Sequence, residues 1–178
     1  MKILFLGPDD SPVVLYLRYR GEDVTTVRYA LTPEYAKQFD WLISYGYRCI
    51  LKKDVLDLFP DRAINLHTSF LPWNRGADPN YWSWKDDTPK GVTIHYIDEG
   101  IDTGDIIARE SVDLFNKGTL RATYAELHVR MQCLFVCNWH NIKSGDVKRI
   151  PQPKFGSCHR SKDMPNLENG WDTLVKDI

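Results

Sequence analysis

The chain has 178 residues, 43% of them hydrophobic and 26% charged, a balance that suits one globular domain with a real core and excludes a disordered chain. Its net charge of -1 gives no overall positive field to hold a polyanion such as tRNA, and no apolar run is long enough to span a bilayer. The apolar start is too short for a signal peptide and ends at Pro8-Asp9-Asp10, so a cytoplasmic protein is expected, with Cys49, Cys133, Cys137 and Cys158 as reduced thiols. Cys133, Cys137 and His140 can share a helix face, but a zinc site wants about four ligands and no fourth is near, so no metal is expected.

Lys2–Leu6 is a short apolar run closed by Gly7 and reads as a buried first strand. Ser11-Pro12 gives a helix start, an N-cap followed by proline at the first helical position, with Val13, Val14 and Leu17 apolar and Gly21 as the stop. Val24–Arg28 reads as a second strand, and Thr32-Pro33 repeats the cap-then-proline signal. Trp41–Ser44 is a third strand, Lys52–Phe59 a helix ended by Pro60, and Ala63–Leu66 a fourth strand. Alternation of strand and helix predicts an α/β, Rossmann-like domain with a largely parallel central sheet flanked by helices. A proline-punctuated loop from His67 to Pro79 follows, then an aromatic helix around Tyr81–Trp84. Gly91–Ile97 and Ile106–Val112 are two further β-rich runs joined by Asp98–Gly104. Leu120, Tyr124, Leu127, Met131, Leu134 and Ile142 recur at helical spacing, predicting a long amphipathic helix over 119–143. The expected organisation is a catalytic domain over 1–150 and a polar tail over 151–178.

Three features carry chemistry. Asn65 and His67 stand two apart on a strand, so both project to one face at the carboxyl end, where open α/β sheets bind ligands. Ser69–Pro79, with two prolines and a glycine, makes a stiff loop directly after His67. Asp102-Thr103-Gly104 places a carboxylate in a sharp turn between strands, which alone is a common turn motif.

In combination, Asn65-x-His67, Leu71-Pro72-x-x-Arg75-Gly76, Gly91-Val92-Thr93-Ile94-His95 and Asp98-Glu99-Gly100-Ile101-Asp102-Thr103-Gly104 resemble the folate-dependent formyltransferase family. That family includes glycinamide ribonucleotide transformylase, methionyl-tRNA formyltransferase and the sugar N-formyltransferases. The resemblance runs from about Asp40 to Ile107 and implies 10-formyltetrahydrofolate as formyl donor, with no metal. It implies that Asn65 donates to the oxyanion, that His67 takes the amine proton, and that Asp102 orients His67. The folate pocket is implied at Ser44, Tyr45, Gly46 and Tyr47 and at Asp98, Gly100 and Ile101, largely through backbone.

The acceptor is narrowed by departures from pattern. Asp9 and Asp10, with two prolines, stand where a phosphate-binding loop would need free amide donors, which argues against glycinamide ribonucleotide. About thirty residues follow the long helix, too few for the extra domain of methionyl-tRNA formyltransferases. Asp40–Arg48, Asn65–Pro79 and Gly156–Asp163 resemble the enzymes that formylate dTDP- or UDP-linked amino-dideoxy sugars, which implies a place in surface polysaccharide synthesis. The expected partners are a nucleotide sugar and a reduced folate, with no nucleic acid and no membrane. A homodimer is implied too, although the C-terminal region that helps those members dimerise is nearly absent. Trp73, Arg75, Gly76, Asp78, Lys85, His159 and Arg160 are the substrate-binding candidates, with cations suited to a diphosphate. Two other readings are a hydrolase that uses the same site with water as nucleophile, and an idle nucleotide-binding module, against which the intact Asn65, His67 and Asp102 argue because a binder needs none of them.

Overall fold

The computed structural model describes residues 1–178. The first half alternates as read: β1 (Lys2–Leu6), α1 (Pro12–Tyr19), β2 (Asp23–Val27), α2 (Pro33–Ala36), β3 (Trp41–Ser44), α3 (Lys53–Leu56) and β4 (Ala63–His67). Ser11 Oγ accepts from the Val13 N–H and caps α1, and Thr32 Oγ1 accepts from Tyr35 N–H at the head of α2. The predicted helix over 52–59 shortens to one turn, because Leu58 and Phe59 bond three residues back, to Val55 O and Leu56 O, and tighten the spiral.

After β4 come β5 (Arg75–Gly76), α4 (Pro79–Lys85), β6 (Gly91–Tyr96), β7 (Ile106–Ser111), α5 (Leu120–Ser144) and β8 (Cys158–His159). The main sheet has the order β2-β1-β3-β4-β6-β7. Strands β1 to β4 are parallel, β6 is antiparallel to β4, and β7 is antiparallel to β6, so only β6 runs against the rest. The largely parallel α/β sheet expected from the sequence is what forms. No helix is long and apolar enough to cross a membrane.

Period-two alternation sends Ile3, Phe5, Ile43, Ile64, Leu66, Val92 and Ile94 to one face, where α1 and α5 cover them. Helix α5 contributes Leu127, Met131, Phe135, Trp139 and Ile142, and Trp139 meets Trp41 edge-on at 5.4 Å. Phe135 and Trp139 therefore carry more of this face than Tyr124 and Leu134, which are partly exposed. The opposite face holds Leu4, Leu6, Leu42 and Ala63 under α2 and α3 with Val55 and Phe59. The same alternation puts Ser44, Asn65 and His67 on this second face, towards the carboxyl ends of the strands. Its two helices are only four residues each, so the polar end of the face is left for loops to cover.

Candidate active site

Asn65 and His67 stand on β4 directly opposite His95 and Thr93 of β6. Both rings are buried, His67 at 7% exposure and His95 at 1%. Asp102 reaches the same point from the β6–β7 connection, with a positive φ of 52°. An aspartate tolerates the left-handed region better than most residues.

The carboxylate is the hub. Its Oδ1 accepts from Asn65 Nδ2 at 3.0 Å and lies 3.3 Å from His95 Nε2. Its Oδ2 accepts from the Gly76 N–H at 2.8 Å and lies 3.6 Å from His67 Nδ1. Burial pushes the Asp102 carboxyl up, but the charge of His67, the hydrogen bond and charge of His95, and the Gly76 N–H outweigh it and hold the group well below the usual carboxylate range. Asp102 is thus ionised at neutral pH although it is largely buried.

The two imidazoles have readable tautomers. His67 Nε2 lies 2.9 Å from the Asn74 carbonyl, which can only accept, so in neutral His67 the proton is on Nε2 and Nδ1 keeps its lone pair. His95 Nδ1 lies 2.7 Å from the Tyr96 carbonyl, so in neutral His95 the proton is on Nδ1 and Nε2 accepts from Asn65 Nδ2 at 3.2 Å. Both amide hydrogens of Asn65 are then engaged, one by Asp102 and one by His95.

The loop after His67 is held from the tail. Arg75 donates twice to Gln152 Oε1, at 3.1 and 2.9 Å, and once to Pro153 O. Gln152 Nε2 in turn donates to the carbonyls of Asp102 and Gly104, at 2.9 and 2.7 Å. Strand β5 pairs in parallel with β8, setting Arg75 beside Cys158 and Gly76 beside His159.

The structure brings Asn65, His67 and Asp102 together and spreads the other candidates more widely. Ser44 is paired with Asn65 in the sheet, and the buried Tyr45 beside it bonds His128 Nδ1. Gly46 has a φ of 72° and Tyr47 donates to Tyr29 O. Asp98 accepts from Gly100 N–H and Thr103 Oγ1, which folds the turn that carries Ile101, half exposed at its surface. Asp98 and Gly100 also line a cleft of about 450 Å³ with Lys53, Asp61, Tyr96 and Arg149.

Among the substrate candidates, Gly76 bonds Asp102 directly and Arg75 is linked to it through Gln152. Trp73 packs on Phe155, and Asp78 heads α4 with no side-chain cap bond. His159 stacks flat on Trp82 at 4.1 Å, with Nε2 3.1 Å from Asp86 Oδ2, while Lys85 and Arg160 lie at the surface. Cys133, Cys137 and His140 are exposed, and no group of three or more His, Cys, Asp or Glu is arranged to hold a metal ion.

Sequence reasoning gave no role to Gln152, nor to His95, Asn74 and Ser157, although the last three lie in segments that carry the family resemblance. A signal for His95 exists, because Thr93 and His95 are polar at alternate positions of a strand whose six residues are all buried. No comparable signal marks the other three, which depend on chain crossings far apart in sequence.

Residues 22–136 match the formyl transferase family. The formyltransferase PseJ from Anoxybacillus kamchatkensis, solved with UDP-4,6-dideoxy-4-formamido-L-AltNAc and tetrahydrofolate, is 46% identical, covers 99% of this chain and 96% of its own, and superposes with a TM-score of 0.93. Methionyl-tRNA formyltransferase of Clostridium beijerinckii is 37% identical over 144 residues, 78% of this chain and 46% of that protein. The chain spans about half the length of the curated relatives it matches. The N-formyltransferase from Helicobacter canadensis, solved with folinic acid and dTDP-3-aminofucose, shares the fold at a TM-score of 0.79 and 21% identity, over 93% of this chain and 72% of its own.

Proposed function

This chain belongs to the formyl transferase family, and from that premise we propose that it moves a formyl group from 10-formyltetrahydrofolate to the free amine of a nucleotide-linked amino-dideoxy sugar. The observation that carries this reading is the near full-length likeness to the Anoxybacillus kamchatkensis enzyme, whose structure holds a UDP-linked formamido sugar with tetrahydrofolate. It favours UDP over dTDP as the carrier.

The chemistry asks for three things, and the Asp102 cluster supplies a group for each. The amine attacks the formyl carbon, a tetrahedral oxyanion forms, the bond from that carbon to the folate nitrogen breaks, and the proton lost by the amine is passed to the leaving nitrogen. His67 Nδ1, the free lone pair, takes the amine proton. The imidazolium so formed lies between the Asn74 carbonyl and the Asp102 carboxylate, which both stabilise it. Asn65 donates to the oxyanion, and for that one of its amide hydrogens must be released. The contact with His95, 3.2 Å against 3.0 Å to Asp102, is the one that yields. Asp98, Gly100, Ile101 and Ser44–Tyr47 border the folate in this reading. The product, a formamido sugar on its nucleotide, suits assembly into a surface polysaccharide.

The test is an acceptor panel. The protein is incubated with 10-formyltetrahydrofolate and UDP- and dTDP-amino sugars, glycinamide ribonucleotide or charged initiator tRNA, and products are read by mass spectrometry. One carbonyl unit gained on a sugar nucleotide alone is the expected result. Faster formylation of either other acceptor, or release of formate without any amine, overturns it.

A further inference from the structure

The segment after α5 reaches back into the site at two points that the transfer chemistry does not use directly. Asn74, the residue whose carbonyl fixes His67, is fully buried and has a φ of 57°. Each of its polar groups has a partner. The Asn74 N–H donates to Ser157 Oγ at 2.8 Å, and the Ser157 hydroxyl donates back to Asn74 Oδ1 at 3.1 Å. The Asn74 Nδ2 donates to Thr88 Oγ1 at 2.7 Å, which leaves the carbonyl aimed at His67 Nε2. The Ser157 hydroxyl accepts the backbone N–H and donates to the amide oxygen at once, which an alanine methyl cannot do.

The tail is itself pinned at this place. The Arg75 N–H donates to Ser157 O and the Ala77 N–H to His159 O, each at 3.0 Å. Gly156 adopts a φ of 131°, and a Cβ there would sit 2.2 Å from Pro72 O, so the backbone approaches too closely for any side chain. Five residues earlier in the tail than Ser157, Gln152 ties Arg75 to the carbonyls of Asp102 and Gly104.

We propose that Ser157, through Asn74, and Gln152, through the Asp102 turn, are positioning residues for the transfer: the first locks His67 in the tautomer that frees Nδ1, and the second fixes the carboxylate against it. The inference rests on His67 being the proton acceptor of the proposed reaction. Loss of the Ser157 hydroxyl leaves a buried N–H and a buried amide oxygen unpaired, and the loop relieves that by turning its groups towards water. The Asn74 carbonyl then leaves His67 Nε2, and nothing prevents the proton from residing on Nδ1.

Two readouts test this on the intact chain. Long-range proton–nitrogen NMR of the histidine-labelled protein reports which ring nitrogen holds the proton, with the His67 signals assigned by their loss in His67→Asn. Wild type, Ser157→Thr and the neighbouring surface variant Lys154→Ala should show Nε2–H, whereas Ser157→Ala should show a mixture of tautomers. In steady-state kinetics Ser157→Ala and Gln152→Ala should each lower kcat by about tenfold or more, with KM for donor and acceptor within about twofold of wild type. Ser157→Thr should recover kcat to within about threefold of wild type. Should Ser157→Ala fail to fold, Ser157→Cys keeps the volume with a weak donor and acceptor and gives the same readouts. An unshifted tautomer in the folded variant, or a loss confined to KM, overturns the proposal. The NMR arm needs no substrate, so a shifted tautomer beside a failed sugar assay would remove the acceptor assignment and leave the positioning role standing.

Discussion

Gly76 donates its backbone N–H to Asp102 Oδ2 at 2.8 Å and, on its other side, pairs with His159 of the tail strand. A Cβ at Gly76 would lie 2.3 Å from His159 O, and the residue has a φ of 86°, a region that suits glycine. Gly76→Ala should therefore separate β5 from β8 and pull a hydrogen bond from the carboxylate. We expect a stability loss of about 1–3 kcal/mol. The loss of kcat should be larger than that of the surface variant Lys154→Ala, and denaturant titration beside initial rates measures both.

The reacting groups give the largest effects. Asn65→Ala, His67→Asn and Asp102→Asn should each lower kcat by on the order of a hundredfold or more. Circular dichroism should show the folded sheet retained, because the two apolar faces that hold it involve none of the three. Near-normal turnover in any two of these variants would remove the mechanism.

Acid stability should report on Asp102. Its carboxyl is held below the usual range in the fold, so the unfolded chain takes up a proton there first as pH falls. The stabilisation is fully present above the ordinary carboxyl value of about 3.9 and is lost progressively as pH drops from there towards the folded value. Wild type should lose stability relative to Asp102→Asn in that acid window. Denaturant midpoints taken at several pH values for both proteins provide the measurement.

Trp139→Ala should be a stability variant only. Trp139 is 2% exposed and packs on Trp41 and Phe135, so truncation should cost about 3–5 kcal/mol. KM for both substrates should stay within about twofold, because its face of the sheet is opposite that of Asn65 and His67. A change in KM with little loss of thermal stability would contradict the packing.

Much of this was legible from local rules. Ser11-Pro12 and Thr32-Pro33 start helices where cap chemistry says they should, and Gly145 ends α5 with a φ of 76°. Asn65 and His67 share a face because strands alternate, and Asp102 was reached through the family resemblance. The β5–β8 pair was illegible, since two-residue strands have no periodicity and their partners stand 83 positions apart, from Arg75 to Cys158. The engagement of the Arg75 guanidinium with Gln152 and Pro153 was equally illegible. Hydrogen bonds across such separations leave no trace in composition or spacing.

The parallel pairing of β5 with β8 also sets an order of assembly. Every strand of the main sheet lies before residue 112, and α5 is complete at Ser144, so the scaffold has all its parts once the long helix has been made. The loop from Asn74 to Ala77 has its partners only when Ser157 and His159 have been added. The tail thus completes the site, while the main sheet and α5 are built without it. A single proteolytic cut between Gly145 and Gln152 would test the same separation after the fact, silencing the enzyme once the severed piece is lost while the sheet keeps its shape.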